Sequence, residues 1–309
     1  RRHAVRRQPG PAMSGTAPVE EGDGPAPADE GPDLATLGPL DYLRAVGELD
    51  EDGIDLARAA LACAALDHPE RDLRGYLDHL GELADAARGA TSAAASVEMQ
   101  TDAVLHLLVH TYGYRGDAET YDDLRNADLM DVIDRRRGLP VALGILYMHA
   151  FRAFGGQVSG LAFPAHFCIR VEARGQRLII DPFEGSILSA RDLRQRLKEH
   201  VHQDAEILPV HHQPVSSREI LLRLQNNIRI RALRSSALDG ALAVVERMAI
   251  VAPDRSDFRR EMALLHARRG DVPAAIRVIE DYLADQSAGD RAPGDLEELL
   301  RRLKAAEAG

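Results

Sequence analysis

The sequence predicts an α+β protein with a helical N-terminal region, a central core containing a small antiparallel sheet, and a C-terminal helical repeat. Apolar residues recur at helical spacing from Leu34 to Arg88, and a second set of helical patterns repeats after residue 216. Between them, an apolar helix from Val141 to Phe154 precedes two strand patterns joined by a short turn. The predicted regions are 34–130, 131–215 and 216–305, preceded by a tail, 1–33.

The predicted tail contains six prolines among glycine, alanine and acidic residues, with few large apolar side chains. Such a composition cannot offset the entropy lost on ordering, so it predicts disorder. A basic segment, 1–7, precedes Met13, where translation could begin. A transit peptide is the competing interpretation, and the acidic run from Glu20 to Asp23 opposes it.

Charge and cysteine content narrow the possible partners. The chain has 309 residues, 45% of them hydrophobic, and a net charge of -11, which argues against nucleic acid or an anionic membrane as the main partner. Cys63 and Cys168 have no metal-type spacing and predict a reducing compartment. No apolar run approaches the roughly 18 residues of a membrane span, so we expect a cytoplasmic protein. The oligomeric state is left open.

The N-terminal region reads as a series of helices. Asp67-His68-Pro69 separates the second helix from the third, and Cys63 lies in the apolar stretch of the second, as a core residue would. A further helix is predicted from Val97 to His110, closing at Gly113, and Asp131 to Arg137 leads into the central helix.

The two strand patterns predict a contact between His166 and Asp181. A turn at 172–175 places His166 directly opposite Asp181, whereas a turn at 173–176 places Cys168 opposite Asp181 and His166 diagonally across. Because strand side chains alternate, both registers put all three residues on one face. A purely structural pair and a catalytic pair both remain open at this point.

Several short sequence segments, in the same order along the chain, resemble those of a known protein family. The chain resembles the bacterial SirB-type family, in which a transglutaminase-like, papain-like core follows helices and precedes tetratricopeptide-like helices. The matching words are Ile54-Asp55-Leu56-Ala57-Arg58-Ala59-Ala60-Leu61, Tyr76-Leu77 with Leu80 and Leu83-Ala84, Asn126 with Leu129 and Val132, Arg135-Arg136-Arg137-Gly138-Leu139-Pro140 with Leu143, Pro164 with His166-Phe167, and Asp181-Pro182-Phe183.

The resemblance implies a Cys-His-Asp triad and assigns two of its roles to His166 and Asp181. Counting back from Gly155 by the usual length of the family's nucleophile helix reaches Pro140, which cannot act as a nucleophile. The SirB-type branch resembles this chain in having Gly-x-Pro there. Cys168, the one thiol near the site, either acts as a nucleophile beside His166 or fills space in the core, and the second interpretation is preferred.

Other polar residues near the central helix have local explanations. Arg135, Arg136 and Arg137 could hold an anion or contact a partner near the positive helix end, or form a solvated face with one internal pair. Asn126 could contact a ligand or cap a helix beginning at Ala127. His202, His211 and His212 lack metal-site spacing, so neither a metal nor another cofactor is predicted.

The last region repeats with the tetratricopeptide period. Ala241-Leu242, Val244-Val245-Glu246 and Met248 recur 34 residues later as Ala275-Ile276, Val278-Ile279-Glu280 and Tyr282. Helix 218–234 precedes this pair, and 296–304 caps it. Such helices either present a concave surface to a protein segment or only pack against the core.

These patterns lead to two functional hypotheses. The leading one is a catalytically degenerate transglutaminase-like scaffold that binds a protein or peptide partner in the relict cleft or on the repeat. The alternative is a hydrolase or acyl-transfer enzyme that uses the His166-Asp181 pair, with Cys168 as a possible nucleophile.

Overall fold

A computed structural model describes residues 31–164, 166–200, 204, 206–285 and 294–307. Most of the predicted tail, including Met13, lies outside the described residues, and so does His202. Pro32–Gly309 forms one compact unit. No helix in the described ranges is long and apolar enough to cross a membrane.

The N-terminal region is helical, as predicted, and side-chain caps define where most of its helices begin. Asp33, Asp55, Asp72 and Ser96 each accept a backbone N–H from the first turn that follows. A π-helical stretch, His106–Thr111, continues the fifth helix, and the chain then turns at Gly113, where φ is +76°. The five helices are α1 (Leu34–Leu37), α2 (Pro39–Glu48), α3 (Leu56–Asp67), α4 (Leu73–Thr91) and α5 (Val97–Leu105).

Two helices lead into the central core, α6 (Leu129–Arg135) and α7 (Pro140–Ala153). The start of α7 lies one residue from the predicted start, with Pro140 in its first turn, where a missing N–H costs nothing. The predicted cap at Asn126 is wrong. Asp128 caps α6 instead, accepting the N–H of Asp131 at 3.0 Å, and Asn126 lies in the 3-10 turn before it. Strands β1 (Arg115–Gly116) and β2 (Arg137–Gly138) form a short parallel pair beside α7.

A five-stranded antiparallel sheet carries the candidate site, with strand order β6-β5-β4-β3-β7. Ala173 pairs with Gln176 and Ile169 with Ile180, which is the second of the two predicted registers. Residues 164 and 166–168, predicted as part of a strand, instead precede β4 as irregular chain, and Ala165 lies outside the described residues. The strands are β3 (Gln157–Leu161), β4 (Ile169–Ala173), β5 (Gln176–Asp181), β6 (Ser186–Leu188) and β7 (Pro214–Val215).

The C-terminal helices confirm the repeat. The bounds of α10 and α12 are 34 residues apart at both ends, and Ala241 and Ala275 are both fully buried. Helix α8 lies before the repeat and packs on the sheet. The six helices are α8 (Ala190–His200), α9 (Ser217–Arg234), α10 (Leu238–Val251), α11 (Ser256–Arg268), α12 (Val272–Asp285) and α13 (Gly294–Glu307).

One apolar core runs through all three regions. Its side chains come from the N-terminal helices, α7, the inner face of the sheet, and α9 and α10. Arg247 of α10 donates to the Cys63 carbonyl at 2.7 Å and to Asp67 at 2.6 Å, so the repeat is also bonded to α3. Two smaller clusters lie under α8 and within α11–α13.

We expect Gly144→Ala to lower the free energy of unfolding by about 1 to 3 kcal/mol through overpacking. A Cβ there would overlap the Phe167 ring and stand 3.4 Å from Pro182 Cγ. Gly81→Ala in α4 is the matched control, because its Cβ meets nothing within 4 Å; it should stabilise by about 0.5 to 1 kcal/mol. Urea denaturation of both variants measures the difference, and equal effects would contradict the packing of α7 on the sheet.

Ala275→Leu tests the repeat register. Ala275 is fully buried among apolar side chains of α11–α13, so the larger side chain should destabilise by about 1 to 3 kcal/mol. Ala305→Leu, at an exposed position of α13, should change stability by less than about 0.5 kcal/mol. A denaturation midpoint that Ala275→Leu leaves unchanged would show that α11–α13 do not pack as described.

Candidate functional site

His166 and Asp181 meet at one edge of the sheet. Asp181 ends β5, and His166 lies three residues before β4, so the strand register brings the two together. His166 Nε2 lies 3.0 Å from Asp181 Oδ1, and the side chains are 9% and 0% exposed. The predicted contact is present, in the diagonal arrangement.

Three other groups contact Asp181 in addition to His166. Arg196 Nη2 of α8 lies 2.6 Å from Oδ2, and the N–H groups of Phe183 and Glu184 donate to Oδ1 at 2.9 and 3.4 Å. Burial acts to raise the pKa of Asp181, but the hydrogen bond and charge of His166, together with the charge of Arg196, lower it below its usual range. The carboxylate is therefore held in its charged form.

Arg196 was missed by sequence reasoning. The pattern of α8 gave a signal, since Leu193 and Leu197 are buried in the cluster beneath that helix and Arg196 lies between them in sequence. That pattern identifies the buried face of α8 but not the strand residue that the arginine contacts.

Helix α7 presents one face to the site. Pro140, Gly144 and Tyr147 are spaced i, i+4 and i+7, which places them on the same helix face. Gly144 packs against Phe167 and Pro182, the neighbours of His166 and Asp181, and the Tyr147 hydroxyl lies beside Gly185. Pro140 is buried at the start of this face, in the first turn of the helix. A pyrrolidine ring offers neither a thiol nor a hydroxyl there.

Cys168 is part of the core. It is 0% exposed and belongs to the cluster that includes Phe163 and Leu193. Burial raises the pKa of its thiol to about 12, and the negative charge of Asp181 adds to that effect. A nucleophilic cysteine needs a lowered pKa, so these features disfavour the nucleophile interpretation and favour packing.

The three arginines before α7 point to different partners. Arg135 donates to Asn126 Oδ1 at 3.1 Å and pairs with the buried Asp117 at 2.9 Å. Arg136, in a left-handed conformation with φ of 57°, lies 4.8 Å from the Tyr114 ring centroid. Arg137 pairs with the exposed Glu119 at 3.1 Å. Arg135 and Asn126 thus cross-link the chain internally, and contact of these residues with an anion or a partner stays a prediction.

A second cluster of potential metal-ligating side chains lies outside this site. His68, Asp128 and Asp131 bring one ligand atom each within 4.8 Å of one another. Arg71 Nη2 lies 3.0 Å from Asp131 Oδ1 and compensates part of the negative charge, and His68 Nε2 lies 3.3 Å from Asp128 Oδ2. No sequence motif marks this cluster, because His68 lies far from the two aspartates along the chain.

The fold and site define a transglutaminase-like protein with C-terminal tetratricopeptide repeats. A transglutaminase-like superfamily model matches residues 74–226, and a tetratricopeptide repeat model matches residues 228–304. A UPF0162 protein of Vibrio cholerae is 31% identical over 206 residues, covering 66% of this chain and 76% of that protein. Protein SirB1 of Salmonella typhimurium is 24% identical over 193 residues, covering 62% and 71%. The chain belongs to the SirB-type family that the UPF0162 proteins and SirB1 represent, which confirms the resemblance.

Asp181→Asn tests the buried carboxylate. Removing its charge leaves Arg196 without its negative counterpart, so we expect a loss of about 2 to 4 kcal/mol at pH 7, less than for a wholly buried pair because Arg196 is partly exposed. The folded-state pKa of Asp181 is lowered from 3.8. Its contribution is therefore present above 3.8 and lost as the pH falls through the lower folded value.

The stability difference between wild type and Asp181→Asn should therefore shrink below pH 3.8, because the protonated aspartic acid is also neutral. Urea denaturation between pH 7 and pH 3 measures it. Asp52→Asn, at an exposed position, is the control and should track the wild type throughout. A difference that stays constant with pH would contradict the charged, paired state of Asp181.

Proposed function

We propose that this protein is a catalytically degenerate transglutaminase-like scaffold that binds a protein or peptide partner in the cytoplasm. The observation that carries the proposal is Pro140, which occupies the position that the family resemblance gives to the nucleophile and has no nucleophilic atom. Cys168, the nearby thiol, supports the same proposal because its pKa is raised to about 12.

The retained His166-Asp181 pair has a structural role that does not depend on catalysis. Through Asp181 it connects the end of β5, the segment before β4 and helix α8. The C-terminal repeat supplies the binding half of the proposal, because tetratricopeptide repeats generally mediate protein–protein interaction.

The alternative function is a hydrolase or acyl-transfer enzyme. The 3.0 Å contact between His166 and Asp181 favours it, because a carboxylate that orients an imidazole is the base half of a triad. In that case the imidazole activates water or a substrate group, or Cys168 becomes accessible when substrate binds.

Pro140→Cys tests the relict-triad assignment. The proline occupies a first helical turn, so cysteine should be tolerated there. If residue 140 faces the His166-Asp181 pair, the imidazole and the positive helix end will favour thiolate. We expect the rate at which iodoacetamide alkylates the new thiol at mildly acidic pH to be at least about tenfold higher than the rate for Cys168 in the wild type.

Two further variants make this result specific. Adding His166→Ala to Pro140→Cys should slow the reaction, and Pro140→Ala should leave the wild-type labelling pattern unchanged. Equal, ordinary reactivity in the single and double cysteine variants would remove the relict-triad assignment. Labelling of Cys168 in the native wild type that depends on His166 would instead support the enzyme.

A further inference from the structure

A cavity of about 300 Å³ lies between α9, α10 and α11, at the start of the repeat. Three carboxylates line it, and each is already in an ion pair. Glu261 pairs with Arg229. Arg255 lies 3.2 Å from Glu219 and 2.8 Å from Asp257. The charges of this wall are therefore largely satisfied within the protein.

Arg223 is the exception among the arginines lining this cavity. Within the part of the chain that the structure describes, no carboxylate lies within the 4.0 Å that defines an ion pair with it. Its guanidinium carbon lies 5.4 Å from the centroid of the Phe167 ring, an attractive arrangement for a cation. Burial lowers the pKa of Arg223, which indicates that its charge is partly removed from water without a compensating anion.

Phe167 offers the Arg223 guanidinium a ring that is held in place by its neighbours. The ring is 2% exposed and packs so closely on Gly144 and Gly160 that a Cβ at either glycine would come within 3.0 Å of it. A ring confined in this way cannot follow a moving side chain. The position thus combines an aromatic face from the transglutaminase-like core, next to His166, with a cation from the first helix of the repeat.

We propose that Arg223, supported on Phe167, binds a carboxylate side chain of an acidic peptide segment that lies in the cavity between α9 and α11. This inference rests on the proposed scaffold function and specifies its partner. A guanidinium binds a carboxylate through two parallel hydrogen bonds, and binding here displaces no existing ion pair. A peptide with isolated acidic residues fits better than a nucleic acid, because the net charge of -11 repels a polyanion.

A pair of synthetic peptides tests the proposal on the full chain. The probe is a fluorescein-labelled octapeptide with a single central glutamate among alanine and serine residues, and its match has glutamine in place of that glutamate. Fluorescence anisotropy measures both. We expect the wild type to bind the glutamate peptide about tenfold or more tightly than the glutamine peptide, because one charge-assisted contact is lost in the second.

Substitutions then test whether Arg223 causes the preference for the glutamate peptide. Arg223→Gln should remove most of it, and Arg223→Lys should keep part, because lysine retains the charge but not the planar fork. Arg234→Gln, exposed on the same helix, is the control and should bind as the wild type does. Thermal melting of each variant confirms that it is folded.

The inference is overturned if the wild type shows no preference for the glutamate peptide, or if folded Arg223→Gln keeps it. Tight binding of the glutamine peptide that does not depend on Arg223 would support a peptide-binding scaffold but overturn the role of Arg223 in binding a carboxylate. The Pro140→Cys variants decide the degenerate site independently, so the two failures are distinguishable.

Discussion

The fully buried carboxylate of Asp181 is the constraint on which the central core depends. Placing a charge out of water costs several kcal/mol unless it is paired and hydrogen-bonded. Here the compensating groups come from His166, Arg196 and two backbone N–H groups after β5. The hairpin register, the segment before β4 and the position of α8 must therefore fit together, because a slip of one residue would carry Asp181 to the opposite face of the sheet.

This constraint gives the His166-Asp181 pair a structural role that does not depend on catalysis. In a hydrolytic triad the carboxylate serves to orient the imidazole. In this protein the same carboxylate is shared with Arg196, whose charge helps to keep it ionised. Loss of the pair would therefore disturb the contact between the sheet and helix α8.

The sequence predicted those features that depend on neighbours along the chain. The bounds of α7 follow from a continuous apolar pattern, and the His166-Asp181 contact follows from either possible register. The choice of register depended on Arg174 and Gly175, both with positive φ, in a two-residue turn. The contact of Arg196 could not be predicted, because its partner depends on how α8 packs on the sheet.

The predicted helix cap at Asn126 was wrong because Asp128, two residues later, caps the helix instead. Strands β6 and β7, three and two residues long, are too short for an alternating pattern.

The shared core also bears on how the chain is made. Helices α2 and α3 bury their apolar faces partly against α10 and α9, and Arg218 at the start of α9 bonds to the carbonyls of Val46, Gly47 and Leu49. The ribosome synthesises the first helices well before their partners, with a delay on the order of 10 s at bacterial rates. Until α9 and α10 are synthesised, the apolar faces of α2 and α3 that pack against them stay exposed to solvent. We therefore expect a holding chaperone to bind the nascent chain during this interval.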